Sequence, residues 1–105
     1  MNERQRRIGE NEAVFREVNE QIRGLATAPT IEVVCECGTR SCTDRIEVDI
    51  DRYARVRADG TLFLLKPGHD IPETETVVER GERCWVVRKD EGGPADLARA
   101  TDPRG

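Results

Sequence analysis

Thr30-Ile31-Glu32-Val33-Val34-Cys35-Glu36-Cys37-Gly38-Thr39-Arg40-Ser41-Cys42-Thr43-Asp44-Arg45-Ile46-Glu47-Val48-Asp49-Ile50 reads as two strands around a cysteine-rich loop. Ile31, Val33 and Cys35 alternate with polar or outward positions, and Ile46, Val48 and Ile50 do the same beyond the loop, which is the period of half-buried strands. The segment predicts a β-hairpin whose tip is Cys37 to Thr43. Gly38 is expected to take a positive φ there and turn backbone amides toward the cysteine sulfurs.

The tip carries the chemistry. In Cys35-x-Cys37 the two side chains share one face of an extended chain, and Cys42, beyond a tight turn, can fold back to the same point. Three soft thiolates converging with one imidazole match the tetrahedral Cys3His set that Zn2+ takes in structural sites. The imidazole expected is His69, the single histidine of the chain, held in the loop Lys66-Pro67-Gly68-His69-Asp70-Ile71-Pro72. Cys84 competes for the fourth position, although its setting in Cys84-Trp85-Val86-Val87 suits a small core hydrophobe. The metal site is thus read as Cys35, Cys37, Cys42 and His69. Zn2+ is the default ion, since ligand type alone does not separate it from iron. Such a site carries a net charge near −1, which Arg40 or Arg45 is placed to offset, and Asp70 is placed to orient the imidazole.

Working outward, Ile8, Phe15, Val18, Ile22 and Leu25, with Val14, recur at helical spacing and predict one helix from residue 3 to about 24. Gly9 weakens its first turns, so residues 1–10 are expected to fray, with Asn11 as an alternative N-cap. Gly24 and Pro29 end it. A short helix over Ile50 to Ala58 follows the hairpin, with Asp49 as its cap and Ile50, Tyr53 and Val56 on one face. Leu62 to Leu65 is an apolar run of strand length. Thr74 to Glu79 and Cys84 to Lys89 form a second hairpin. Residues 90–105, rich in Gly, Pro, Ala and charge, read as a disordered tail. The order is α+β: one leading helix, one inserted helix and about five mostly antiparallel strands in a single domain, 11–89, that a zinc ion stabilises.

Composition makes a metal plausible as a stabilising device. The chain has 105 residues, of which 36% are hydrophobic and only 4% aromatic, so its core is small. Structural zinc contributes about 10 to 16 kcal/mol of apparent binding energy at neutral pH, as much as the whole stability of a small domain. Seventeen basic against twenty-one acidic residues give a net charge of −4. Both signs interleave, which argues against nucleic acid as a partner. No apolar run is long enough to span a bilayer and the first residues hold no hydrophobic leader, so the expected location is the cytoplasm. In that reducing compartment four cysteines point to metal ligands or free thiols before disulfides.

The segment Asn11-Glu-Ala-Val-Phe-Arg-Glu-Val-Asn-Glu-Gln-Ile22, then Cys35-Glu36-Cys37-Gly38 with Cys42, then Tyr53-x-x-Val56-Arg57-Ala58 and Pro67-Gly68-His69, resembles a family of short uncharacterised actinobacterial proteins. The likeness covers Asn11 to about Lys89. It implies a bacterial origin, and its motif falls on Cys35, Cys37, Cys42 and His69, leaving Cys84 outside.

A closed four-ligand site has no open position for a substrate, and the sequence offers no second histidine, no acid pair with an obvious reason to converge and no phosphate-cradling glycine loop. The expected role is a non-enzymatic protein-interaction or regulatory module whose partner is another protein. The helix seam permits a monomer or a dimer through the N-terminal helix. The competing readings are a thiol redox sensor or enzyme using the cysteines directly, and a nucleic-acid-binding zinc domain.

Overall fold

A computed structural model describes residues 1–105. Eight elements follow in chain order: α1 (Glu3–Leu25), β1 (Thr30–Val34), β2 (Arg45–Asp49), α2 (Ile50–Arg57), β3 (Leu62–Leu65), β4 (Glu75–Arg80), β5 (Trp85–Lys89) and α3 (Gly93–Ala100). The fold is α+β, with five antiparallel strands in two sheets. β1 and β2 pair as the expected hairpin, Ile31 opposite Val48 and Val33 opposite Ile46. The second sheet runs β3-β5-β4, with a bulge between Val77 and Glu79.

The Leu62-Phe63-Leu64-Leu65 run is continuous because β3 is buried on both sides. Leu62 and Leu64 join Ile31, Val33, Ile46, Val48, Tyr53 and Val56 in one core, under the hairpin and α2. Phe63 and Leu65 face the other way, onto Cys35, Cys37, Val87 and Ala98. Successive residues of a strand point to opposite faces, so four apolar residues in a row serve two cores. Two of the cysteines are therefore built into the second core.

Several expectations require correction. The N-terminus does not fray: α1 starts at Glu3 on a capping box, in which the Asn2 side chain accepts from the Gln5 N–H and the Gln5 side chain accepts from the Asn2 N–H. Asn11 is accordingly mid-helix and donates to the Gly38 carbonyl instead of capping. Asp49 occupies the N-cap position of α2 without a side-chain hydrogen bond.

Residues 90–105 are also ordered. Pro94 sits in the first turn of α3, where a missing N–H costs nothing, and Ala95 and Ala98 are buried. The small side chains let α3 lie close to α1, where Leu97 packs over Gly9 so tightly that any Cβ at position 9 would collide with it. Gly9, read as a weak point of the helix, is a contact point.

The buried face of α1 is the largest departure. Val14, Val18 and Leu25 of the anticipated stripe are exposed, while Ile8, Glu12, Arg16 and Asn19 are buried. These four keep helical spacing, but three of them are polar, so apolar periodicity pointed to the wrong side. Arg16 donates to the carbonyls of Gly60 and Ala98, both at 2.7 Å, and its guanidinium lies 4.4 Å from the Phe63 ring centre. It thereby closes the C-terminal end of α3, where unpaired carbonyls favour a cation. No helix is long and apolar enough to cross a membrane.

Candidate metal centre

The donor atoms of Cys35, Cys37, Cys42 and His69 all lie within 4.8 Å of one another, and no disulfide joins any of the four cysteines. This group could hold a metal ion. His69 Nδ1 stands 3.6 Å from Cys35 Sγ and 3.7 Å from Cys42 Sγ. In a tetrahedron with Zn–S near 2.3 Å and Zn–N near 2.05 Å the S···N edge is about 3.6 Å, so these separations fit a closed Cys3His set. Cys84 is elsewhere, buried in the core with Leu64 and Val86, its thiol pushed up to about 11 by burial.

Local chain chemistry explains how the four meet. Cys35 and Cys37 continue β1 beyond Val34, the Cys35 N–H donating to the Asp44 carbonyl at 2.9 Å and the Glu36 N–H to the Leu64 carbonyl at 2.8 Å. Cys42 returns through a tight turn closed by its N–H on the Thr39 carbonyl. His69 ends a turn over Lys66-Pro67-Gly68-His69, where proline sets the first central position, Gly68 takes φ +85° at the second, and the His69 N–H reaches the Lys66 carbonyl. The positive φ lies there and not at Gly38. Gly38 is required for space, since a side chain would collide with Ile8 of α1 and crowd Ile71.

Backbone amides face the sulfurs. The Lys66 N–H donates to Cys35 Sγ at 3.2 Å, and the backbone at Thr39 and at Asp44 favours the thiolate forms of Cys37 and Cys42. These amides supply the positive ends expected of Arg40 or Arg45. Arg40 is exposed, and Arg45 extends toward Glu32 at 3.7 Å. Asp44, and not the expected Asp70, is the carboxylate nearest the outer ring nitrogen, its Oδ2 3.5 Å from His69 Nε2, which is turned away from the sulfurs.

The cysteines share charge unevenly. Hydrogen bonding from Cys35 is the main cause that pulls the Cys37 thiol down to about 5, against the cost of its burial. Cys35 moves up, through that same hydrogen bond and then burial, and Cys42 moves up through burial. One thiolate therefore forms readily at Cys37, and a metal would displace the protons of the other two. Cys35 and Cys37 are each 1% exposed, whereas Cys42 and His69 are half-buried at the mouth of an open cleft of about 490 Å³.

Two buried carboxylates adjoin the site. Glu36, between the paired cysteines, is fully buried and takes both guanidinium nitrogens of Arg57, at 2.7 and 2.8 Å. Glu75 accepts the Ile71 N–H of the histidine loop at 3.0 Å, and with Glu12 it surrounds the Lys89 ammonium, at 3.0 and 2.8 Å. Sequence reasoning missed these groups. The available signal for Glu36 was the alternation that put Cys35 and Cys37 on one face, since it puts the middle residue on the other. Nothing in the sequence marks Glu12 and Glu75 as an acid pair, because they converge from elements 63 positions apart. No family model, curated protein or solved structure matches the chain.

Proposed function

We propose that the chain is a small zinc-binding module of the cytoplasm, in which Cys35, Cys37, Cys42 and His69 hold one Zn2+ in a closed structural site and the protein serves interaction or regulation without being an enzyme. The observation that carries this reading is the convergence of three sulfurs and one imidazole nitrogen within 4.8 Å of one another, with two S···N edges at 3.6 and 3.7 Å that match a tetrahedron. Four protein donors saturate zinc and leave no coordination position for a substrate. Three thiolates make zinc preferable to the harder cations. The resemblance to the short actinobacterial proteins agrees with this set, since their shared motif falls on the same four residues. The exposed Val14, Val18 and Leu25 of α1 support another protein, or a second copy of the chain, as partner.

A second reading has its own observation. Cys42 is half-buried at the cleft mouth beside the readily ionised Cys37, a setting in which an oxidant could reach a thiol and release the metal. Native mass spectrometry with and without chelator decides between them. One zinc per chain, retained in Cys84→Ala, weakened in His69→Ala and kept through mild peroxide, is the expected result. Metal indifferent to His69→Ala overturns the closed site, and zinc ejected by peroxide before unfolding favours the redox sensor.

A further inference from the structure

Glu36 is the x of Cys-x-Cys, and its side chain points away from the sulfurs into the protein. Its carboxylate is fully buried and saturated: Oε2 accepts from Arg57 at 2.7 Å and from the Asn19 amide at 2.8 Å, while Oε1 accepts from Arg57 at 2.8 Å and from the Leu64 N–H at 2.9 Å. The Glu36 N–H also donates to the Leu64 carbonyl, so this residue is clamped to β3 through main chain and side chain together. Asn19 closes the other side, donating to the Val34 carbonyl and accepting the Val34 N–H. Arg57 is buried too, and although burial pulls its guanidinium down, the adjacent Glu36 carboxylate more than offsets this and holds it above its usual value.

A buried ion pair is expensive and is seldom the best way to stabilise a core. Here it sits where a bidentate, planar fork fixes the one residue whose backbone carries two candidate ligands. We propose that Glu36 is a positioning residue for the metal centre: by locking the peptide between Cys35 and Cys37 to α1, α2 and β3, it presets the separation and direction of those two thiolates before metal arrives. The inference rests on the proposed metal site and adds to it that metal affinity depends on this carboxylate. Preset ligands lose less freedom on binding, so a loosened knuckle binds more weakly even when the fold survives.

The test is a Co2+ titration of the full chain with the intense sulfur-to-metal and d–d absorption as readout, alongside thermal melting. The variants are Glu36→Gln, Arg57→Lys and, as a core control that trims an apolar side chain while leaving every Glu36 hydrogen bond in place, Val86→Ala. Arg57→Lys keeps the charge that Glu36 needs and loses the bidentate fork together with the guanidinium's stacking over Tyr53, so it carries the test if Glu36→Gln does not fold. Expected is a fall in Co2+ affinity of roughly tenfold or more in Glu36→Gln and a smaller fall in Arg57→Lys, the scale found for residues that support metal ligands. The absorption envelope should shift in both. Val86→Ala should lower the melting temperature while leaving affinity and spectrum unchanged. Unchanged affinity and spectrum in folded Glu36→Gln or Arg57→Lys overturn the proposal, as does an equal loss of affinity in Val86→Ala. A wild-type chain that takes up no Co2+ overturns the metal reading itself, a separate result from uptake that is indifferent to Glu36.

Discussion

The two faces of α1 invert the usual rule. One is buried and mostly polar, with Glu12, Arg16 and Asn19 beside Ile8 reaching into the protein; the other is exposed and carries Val14, Val18 and Leu25 in solvent among its charged residues. The difference teaches that this helix is held by specific polar contacts to other segments at least as much as by apolar burial. Such contacts fix register and orientation in a way that an apolar stripe does not, and each fails sharply when one partner is removed. Arg16 should show this most strongly. Arg16→Ala leaves the Gly60 and Ala98 carbonyls without their charged donor and uncovers Phe63, so a loss of about 4 kcal/mol is expected from charge-assisted hydrogen bonds and packing together. Chemical denaturation measures the total, and hydrogen exchange should show residues 93–101 opening first. Uniform exchange along the chain would contradict the assignment of Arg16 as the clasp on α3.

Asn19 comes next. It bonds both main-chain polar groups of Val34 and one oxygen of Glu36, and Asn19→Ala strands a partly buried main-chain N–H and the buried Glu36 oxygen at the root of the cysteine knuckle. A destabilisation of about 3 kcal/mol is expected. Asn19→Asp should be worse than Asn19→Ala, because it loses the donor to Val34 and Glu36 and places a second carboxylate beside the first. If Asp is tolerated better than Ala, the polar face is more hydrated than its burial implies.

Glu12 separates the complete part of the polar face from the incomplete part. Lys89 Nζ is 2.8 Å from Glu12 Oε1, close enough for attraction, yet neither Glu12 oxygen has an aligned hydrogen-bond partner, and Glu75 shares the same ammonium. Burial, acting against the attraction of Lys89, raises the Glu12 carboxyl well above its ordinary value. The native state therefore binds a proton more tightly than the unfolded chain. That contribution is fully present below the unfolded value near 4.5 and is lost as pH rises through the raised native one. Glu20, Asp59 and Glu79 are lowered and work in the opposite sense, losing their contribution as pH falls. The diagnostic is thus the difference between wild type and Glu12→Gln. At pH 7 the two should agree within about 1 kcal/mol, and near pH 5 the wild type should gain on the variant. A gap independent of pH would mean that Glu12 is ionised in the native protein.

Much of this architecture was legible in the sequence, and its failures share one cause. The hairpin around Cys35 to Cys42, the strand Leu62 to Leu65 and the convergence of the four donors were readable because their patterns rest on alternation, a short apolar run and soft-ligand chemistry, which depend little on distant partners. The seat of α1 was not readable, since burying Arg16 requires carbonyls 44 and 82 residues away. The tail failed for the same reason: Gly92, Gly93 and Pro94 look like a linker until Arg16 and Gly9 provide something for the following turn to dock against. Asp44 was passed over because Asp70 is next to His69 in sequence, whereas the hairpin brings Asp44 next to it in space.

The smallest effect is expected on the apolar face, and it is the one that speaks to partners. Val14 is 60% and Val18 41% exposed, beside a shallow groove bounded by Ala13, Glu17, Gln21 and Thr101. Changing both to Gln removes little buried area and puts a better helix former at each position, so the stability of the isolated chain should move by less than about 0.5 kcal/mol. If this face pairs with a second copy, the same double change should abolish a concentration-dependent dimer in analytical ultracentrifugation while leaving the melting profile of the dilute protein unaltered. A melting temperature that drops by several degrees in the dilute double variant would show instead that these valines support the fold. The contrast between the faces of α1 would then be one of degree, with both sides of the helix contributing to the stability of the monomer.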